Sequence, residues 1–142
     1  MSTIPMSAAS WGSGTLIDGT PFRQVVTTAA TDGRLVALTA DMPPGLHVDE
    51  HVHKWEDQII IVISGSVGAR VGTEELQLTD GSVAFLPRGI PHSQWNSGDD
   101  FARVVEIYTP GGFEEVFAQA GRVNDGREAD RNDDASARDL TD

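Results

Sequence analysis

The sequence contains no cysteine. This absence excludes disulfide bonds, thiolate zinc sites and a cysteine nucleophile. The chain also lacks any apolar run close to the roughly 20 residues that a membrane-spanning helix needs, and no basic stretch followed by an apolar core marks its start as a signal peptide. We therefore expect a cytoplasmic protein.

Positive charge is scarce as well. Ten Lys and Arg residues stand against 22 Asp and Glu residues, which gives a net charge of -12. Because nucleic acids and anionic membranes would repel such a protein, neither is an expected partner. A chain of 142 residues can bury one sizeable core but is too short for two ordinary domains.

Turn residues recur at regular intervals between short β-branched and aromatic runs, which predicts an all-β barrel. Outside the histidine-rich region, the predicted strands cover residues 22–30, 34–42, 67–71, 75–79, 82–86, 92–96 and 101–109. We expect a loose N-terminal segment over 1–20 and a barrel over 21–121. Apolar residues at helical spacing predict a short C-terminal helix over 113–120, and a charged composition predicts a disordered acidic tail over 122–142.

Three histidines and a glutamine carry the chemistry. His51 and His53 are two residues apart, so on a strand they face the same way and can share one ion. Gln58 opens the next strand, and His92 follows a stiff turn that holds two prolines and a glycine. The pattern predicts a metal site, with Glu56 as an alternative to Gln58 because a carboxylate is the better metal ligand.

The spacing of these residues resembles two motifs of the cupin family. Gly45, five residues, His51-x-His53, four residues, Gln58, six residues and Gly65 resemble the first motif, and Gly81, five residues, Pro87-x-Gly89, two residues, His92, three residues and Asn96 match the second. The resemblance covers roughly residues 39–109. It implies a double-stranded β-helix, or jelly-roll barrel, with His51, His53, Gln58 and His92 as metal ligands.

Gln58 stands where cupins usually carry Glu. Three neutral imidazoles and a neutral amide leave a divalent ion its full charge, which favours Lewis-acid chemistry over oxygen activation. Within the cupins, this ligand set is similar to that of bacterial aromatic polyketide cyclases. The resemblance implies a zinc ion, with iron, nickel or manganese as alternatives, and an apolar or aromatic polyketide substrate. A poly-β-ketone would be closed into rings by intramolecular aldol condensation.

Several alternatives stay open at this stage. His47 shares strand parity with His51, which makes it a candidate catalytic base or a rim residue. Arg88 and Glu106 are interpreted as surface or ladder charges. A metal-dependent dioxygenase of the quercetinase or diketone-cleaving type would use the same ligands, and a non-catalytic cupin would only bind a small ligand. The protein is expected to be a monomer or a homodimer, since the hairpin over 22–42 offers an edge for pairing.

Overall fold

Ten β-strands and one short 3-10 helix make up residues 8–112, the part of the chain that the computed structural model describes. The strands are β1 (Thr15–Leu16), β2 (Phe22–Val26), β3 (Val36–Met42), β4 (His47–His51), β5 (Asp57–Ser64), β6 (Val67–Val71), β7 (Glu74–Leu78), β8 (Val83–Leu86), β9 (His92–Asn96) and β10 (Ala102–Thr109). The all-β prediction is confirmed. None of the described helical residues forms a segment long and apolar enough to cross a membrane.

The strands form two antiparallel sheets. One has six strands in the order β1-β2-β3-β10-β5-β8, and the other has four in the order β4-β9-β6-β7. Alternate residues of β10 are buried, namely Ala102, Val104, Glu106 and Tyr108. Apolar side chains from both sheets, including Leu38, Ile60, Val62 and Val67, form one buried cluster. The inward faces of the sheets therefore supply the core. Three candidate ligands, His51, Gln58 and His92, lie on strands of these sheets, whereas His53 follows the end of β4.

Turn glycines fix the hairpins as the sequence indicated. Val71 pairs with Glu74, so Gly72 and Thr73 alone make the turn between β6 and β7. Gly72 has a φ of 60° and Gly81 has a φ of 82°, a region that side chains with a Cβ rarely adopt. A loop of two residues fixes the register of a hairpin. The strand predicted over 67–71 is observed with those bounds.

The N-terminal third differs from the prediction in three places, the first being β3, which begins at Val36 rather than at residue 34. The strand predicted over 22–30 ends at Val26, and a 3-10 helix (Ala29–Thr31) follows it. Within the predicted loose segment, β1 pairs with β2, and Ile17 lies in the core with 3% of its surface exposed. The helix predicted over 113–120 and the tail predicted over 122–142 lie outside the described residues.

Candidate metal centre

The first motif brings two histidines together at the end of β4. His51 is the last residue of β4, and His53 lies in the connection to β5 rather than on the strand. The Nε2 atoms of the two rings are nevertheless 3.1 Å apart. The predicted convergence of the two side chains is therefore present, although the strand ends before His53.

The second motif places His92 against them. His92 opens β9 and is the residue opposite His51 in the β4–β9 register. The turn before it is bonded to the first motif, because the N–H of Gly89 donates to the carbonyl oxygen of His53 at 2.7 Å. The Arg88 N–H donates to Asp57 Oδ1 at 2.9 Å. These two bonds join the motifs and fix the approach of His92.

The three imidazoles form a cluster that could hold a metal ion. Their ring centroids are 4.4 to 4.9 Å apart, and one ligand atom from each lies within 4.8 Å of the others. Two nitrogens that share a tetrahedral zinc at about 2.0–2.1 Å lie about 3.3 Å apart, close to the His51–His53 separation. His53 and His92 are each 2% exposed, whereas His51 is half-buried, so solvent reaches the cluster from the side of His51.

Backbone carbonyls orient two of the rings. His51 Nδ1 lies 2.6 Å from the carbonyl oxygen of Asp49, and His92 Nδ1 lies 3.2 Å from that of Ile90. A carbonyl oxygen only accepts, so in both rings Nδ1 carries the hydrogen. The tautomer therefore leaves Nε2 with the lone pair that a metal needs.

Gln58 supplies a candidate fourth ligand. Its side chain is 1% exposed, and its Nε2 donates to Glu106 Oε1 at 3.0 Å. Its Oε1 is buried and has no hydrogen-bond partner among the residues that the structure describes. Glu56, the alternative, is also buried. Among the described acidic and histidine residues, however, the group that could hold a metal ion contains the three histidines and not Glu56. The three imidazoles are therefore the group that could hold a metal ion, and Gln58 as a fourth ligand stays a prediction.

Glu106 lies in the core, so its interpretation as a surface or ladder charge is wrong. It is 1% exposed and accepts hydrogen bonds from Gln58, Gln94 and Tyr108. Burial raises the pKa of the Glu106 carboxyl, and the three hydrogen bonds oppose that rise. The signal was present in the sequence, because Glu106 shares strand parity with Val104 and Tyr108. Arg88 does lie at the surface, where it pairs with Asp57 at 3.3 Å.

His47 lies on the opposite face of β4 from His51. The two were predicted to share parity, but the register shifts between Val48 and His51, where three steps along β4 match two along β9. One extra residue in a strand reverses the facing of everything beyond it. His47 is exposed and stacks on Trp95 with ring centroids 5.7 Å apart. The argument from shared parity is therefore wrong, and the catalytic role of His47 stays a prediction.

Comparison with known proteins gives a family assignment and a fold. Residues 38–108 match a family model described as the Cupin domain. Among solved structures, a predicted oxalate decarboxylase from Thermotoga maritima superposes with a TM-score of 0.60 at 20% identity, over 63% of this chain and 78% of that one. This likeness shows the fold, and the predicted jelly-roll cupin barrel is confirmed.

Two curated relatives bear on chemistry. The tetracenomycin polyketide synthase protein TcmJ of Streptomyces glaucescens is 37% identical over 81 residues, which is 57% of this chain and 53% of TcmJ. Quercetin 2,3-dioxygenase of Bacillus subtilis is 23% identical over 124 residues, which is 87% of this chain and 36% of that protein. The chain therefore spans about half of the first relative and about a third of the second.

Proposed function

We propose that this chain, which belongs to the cupin family, is a metal-dependent enzyme that closes aromatic rings of a poly-β-ketone by intramolecular aldol condensation. The observation that carries the proposal is the cluster of three imidazoles whose ligand atoms lie within 4.8 Å of one another. The similarity to TcmJ, a polyketide synthase protein, supports the substrate class.

Four side chains hold the ion in this proposal. His51, His53 and His92 contribute Nε2, and Gln58 contributes Oε1. Zinc is the proposed ion, with iron, nickel and manganese as alternatives, because imidazole and amide donors suit each of them. When bound, the ion supplies Lewis-acid polarisation of a ketone oxygen and stabilises an enolate.

In this proposal the protein itself excludes water and positions the substrate. Burial of His53 and His92 keeps water away from the inner side of the cluster, while the half-buried His51 marks the side from which a polyketide enters. The barrel holds both reacting carbons of one chain close together, and this proximity replaces a bimolecular encounter. His47, predicted as a candidate base, lies on the opposite face of β4 from His51, so the base is not assigned to it in this proposal. Location in the cytoplasm and a monomeric or homodimeric state are part of the same proposal.

Metal analysis and product analysis together test the proposal. The purified protein should contain a divalent ion in stoichiometric amount, and removal of the ion should stop conversion of a poly-β-ketone. Reloading with zinc should restore a cyclised product that has lost water, detected by mass spectrometry. A protein that binds zinc but leaves every polyketone unchanged would instead be a non-catalytic ligand-binding cupin.

A dioxygenase of the quercetinase or diketone-cleaving type is the second candidate. Two observations favour it: the similarity to quercetin 2,3-dioxygenase spans 87% of the chain, and a buried carboxyl lies one hydrogen bond from Gln58. A nearby negative charge helps a metal reach a higher oxidation state. Oxygen uptake with a flavonol or a 1,3-diketone, measured on iron-, nickel- and manganese-loaded protein, distinguishes this candidate from the cyclase.

A further inference from the structure

The carboxyl group of Glu106 accepts hydrogen bonds from three buried side chains. Glu106 Oε1 accepts from Gln58 Nε2 at 3.0 Å and from the hydroxyl of Tyr108 at 2.6 Å. Its Oε2 accepts from Gln94 Nε2 at 2.7 Å. Three neutral donors converge on this one group, and all four side chains are at least nine-tenths buried. Their positions are therefore set by each other rather than by solvent.

The carboxylate decides which way the Gln58 amide faces. The two ends of an amide have nearly the same shape, so only its hydrogen bonds determine its orientation. Nε2 of Gln58 donates to Glu106 Oε1, so Oε1 of the same amide faces away from the carboxyl group. That Oε1 atom is buried with no hydrogen-bond partner among residues 8–112. A buried acceptor in this state is costly unless another group completes it.

We propose that Glu106 is a positioning residue that presents Oε1 of Gln58 to the metal ion. It also keeps near the ion the negative charge that a glutamate at position 58 would have carried, one hydrogen bond further out. The inference rests on the metal site proposed above and adds the residue that orients its fourth ligand. The predicted ligand set contained no carboxyl group, and Glu106 adds one beside Gln58.

The neighbours of Glu106 support this assignment. The edge of the Tyr108 ring contacts His53, with ring centroids 5.5 Å apart at an interplanar angle of 81°. Tyr108 also lies opposite Gln58 in the β10–β5 register. Glu106 is thereby linked to Gln58 directly and to His53 through Tyr108. Gln94 lies in the other sheet and donates to the other carboxyl oxygen, Oε2. Its amide therefore restrains Glu106 but does not share an acceptor atom with Gln58.

Zinc affinity of the metal-free protein, measured by competition with a chromophoric chelator, tests the proposal. Glu106→Gln keeps the shape of the side chain but removes the charge and allows the Gln58 amide to turn. Zinc binding should weaken about tenfold, as happens when partners that orient metal ligands are lost. Gln94→Met is the comparison variant: it removes the hydrogen bond to Glu106 Oε2 but leaves the bond from Gln58 Nε2 to Oε1, so it should weaken binding less than Glu106→Gln does.

Two further variants decide how Glu106 acts. On a Gln58→Ala background, Glu106→Gln should cost much less affinity than it costs in the native protein, since the amide to be oriented is gone. Gln58→Glu alone places two carboxyl groups next to each other, which repel when both are ionised. Gln58→Glu combined with Glu106→Gln exchanges the two side chains, so the carboxyl group lies at position 58 and a hydrogen bond between the two positions is kept. The exchanged pair should bind zinc at least as tightly as the native protein.

The outcomes separate this inference from the proposed function. A folded Glu106→Gln variant with native zinc affinity overturns the positioning role while leaving the metal site intact. An equal loss with and without Gln58 overturns it too, because Glu106 would then act by another route. If Glu106→Gln does not fold, the exchanged pair decides, and failure of that pair to bind zinc overturns the proposal. A native protein that binds no zinc removes the metal site itself, and the positioning role with it.

Discussion

The strand β4 carries a histidine at each end, and the two have opposite surroundings. His51 is half-buried and meets His53 and His92. His47 has 53% of its side chain exposed, pairs with Asp49 at 3.1 Å and stacks on Trp95. The same residue type, four positions apart, is a candidate metal ligand in one place and part of an outer aromatic stack in the other.

The difference shows that the facing of the strand decides the role of each histidine. One extra residue between Val48 and His51 turns His51 inward while His47 stays outside. On the outer face, Trp95 lies over Gly68, its neighbour in β6. On the inner face, carbonyl groups orient the rings of His51 and His92. Variants on the two faces should therefore have separable effects.

The largest effect is expected for the inner histidines. His53→Ala should weaken zinc binding more than about 100-fold, because loss of groups that merely orient ligands already costs about 10- to 100-fold. His47→Ala is the matched control and should leave zinc affinity unchanged. Zinc-dependent stabilisation against heat should disappear in His53→Ala only. Full zinc occupancy in His53→Ala would contradict the proposed ligand set.

A second prediction concerns the outer face alone. A Cβ at Gly68 would collide with the Trp95 ring, so Gly68→Ala should destabilise the fold by about 1–3 kcal/mol. Urea denaturation measures this loss. The penalty should shrink when Trp95→Val is added, while zinc affinity per folded molecule stays native. A fall in affinity that matches the fall in stability would mean that the two faces are not independent.

A third prediction concerns the zinc affinity contributed by Gln58, the candidate fourth ligand on the inner face. Gln58→Ala should weaken zinc binding about 10- to 100-fold, less than loss of His53, because a neutral amide oxygen is the weakest donor of the four to a borderline ion. Chelator competition on both variants gives the ratio. Native affinity in Gln58→Ala would exclude the amide from the ligand set.

The smallest effect is expected at Asp57, which anchors the turn before His92. A backbone hydrogen bond from Arg88, followed by the side-chain hydrogen bond and charge of Arg88, holds the pKa of the Asp57 carboxyl below its ordinary value of 3.8. A lowered folded pKa contributes stability that is present above 3.8 and is lost as the pH falls through the folded value. Asp57→Asn should therefore cost about 0.2–1 kcal/mol at pH 7.

Thermal midpoints at several pH values check this expectation. The difference between the native protein and Asp57→Asn should narrow as the pH drops below 3.8. Asp99→Asn, at an exposed loop position, is the control and should follow the native curve. A gap that widens in acid would contradict a lowered pKa of Asp57 in the folded protein.

Strand alternation and turn glycines carried most of the fold prediction. The strand before Gly72 and the strand that His92 opens appear with the predicted bounds, since each depends on local spacing, whereas β7 begins and ends one residue earlier than predicted. The convergence of His51, His53 and His92 was likewise predicted, although His53 lies beyond the end of β4 and is not aligned with His51 by the alternation of one strand. In contrast, β1 was not predicted. It has only two residues, and its pairing with β2, rather than its local sequence, stabilises the strand.

Features set by long-range packing were not readable from local pattern. The register shift in β4 depends on how β9 pairs with it, so the parity argument for His47 failed. Glu106 is accommodated in the core by hydrogen bonds from Tyr108, two residues away on β10, and from Gln58 and Gln94 on other strands, and no local rule predicts the two donors from other strands. Its parity with Val104 and Tyr108 was the one available signal. The general preference of carboxylates for solvent outweighed that signal.

The hydrogen bond from Gly89 to His53 also bears on the order in which the site assembles. His51 and His53 are neighbours in the chain, whereas His92 is separated from them by β5 to β8, and the turn before it is hydrogen-bonded to His53. Closing so long a segment is entropically costly and belongs late in folding. An ion held by all the ligands would then bind a nearly finished barrel. We expect zinc to slow unfolding strongly while hardly changing the refolding rate.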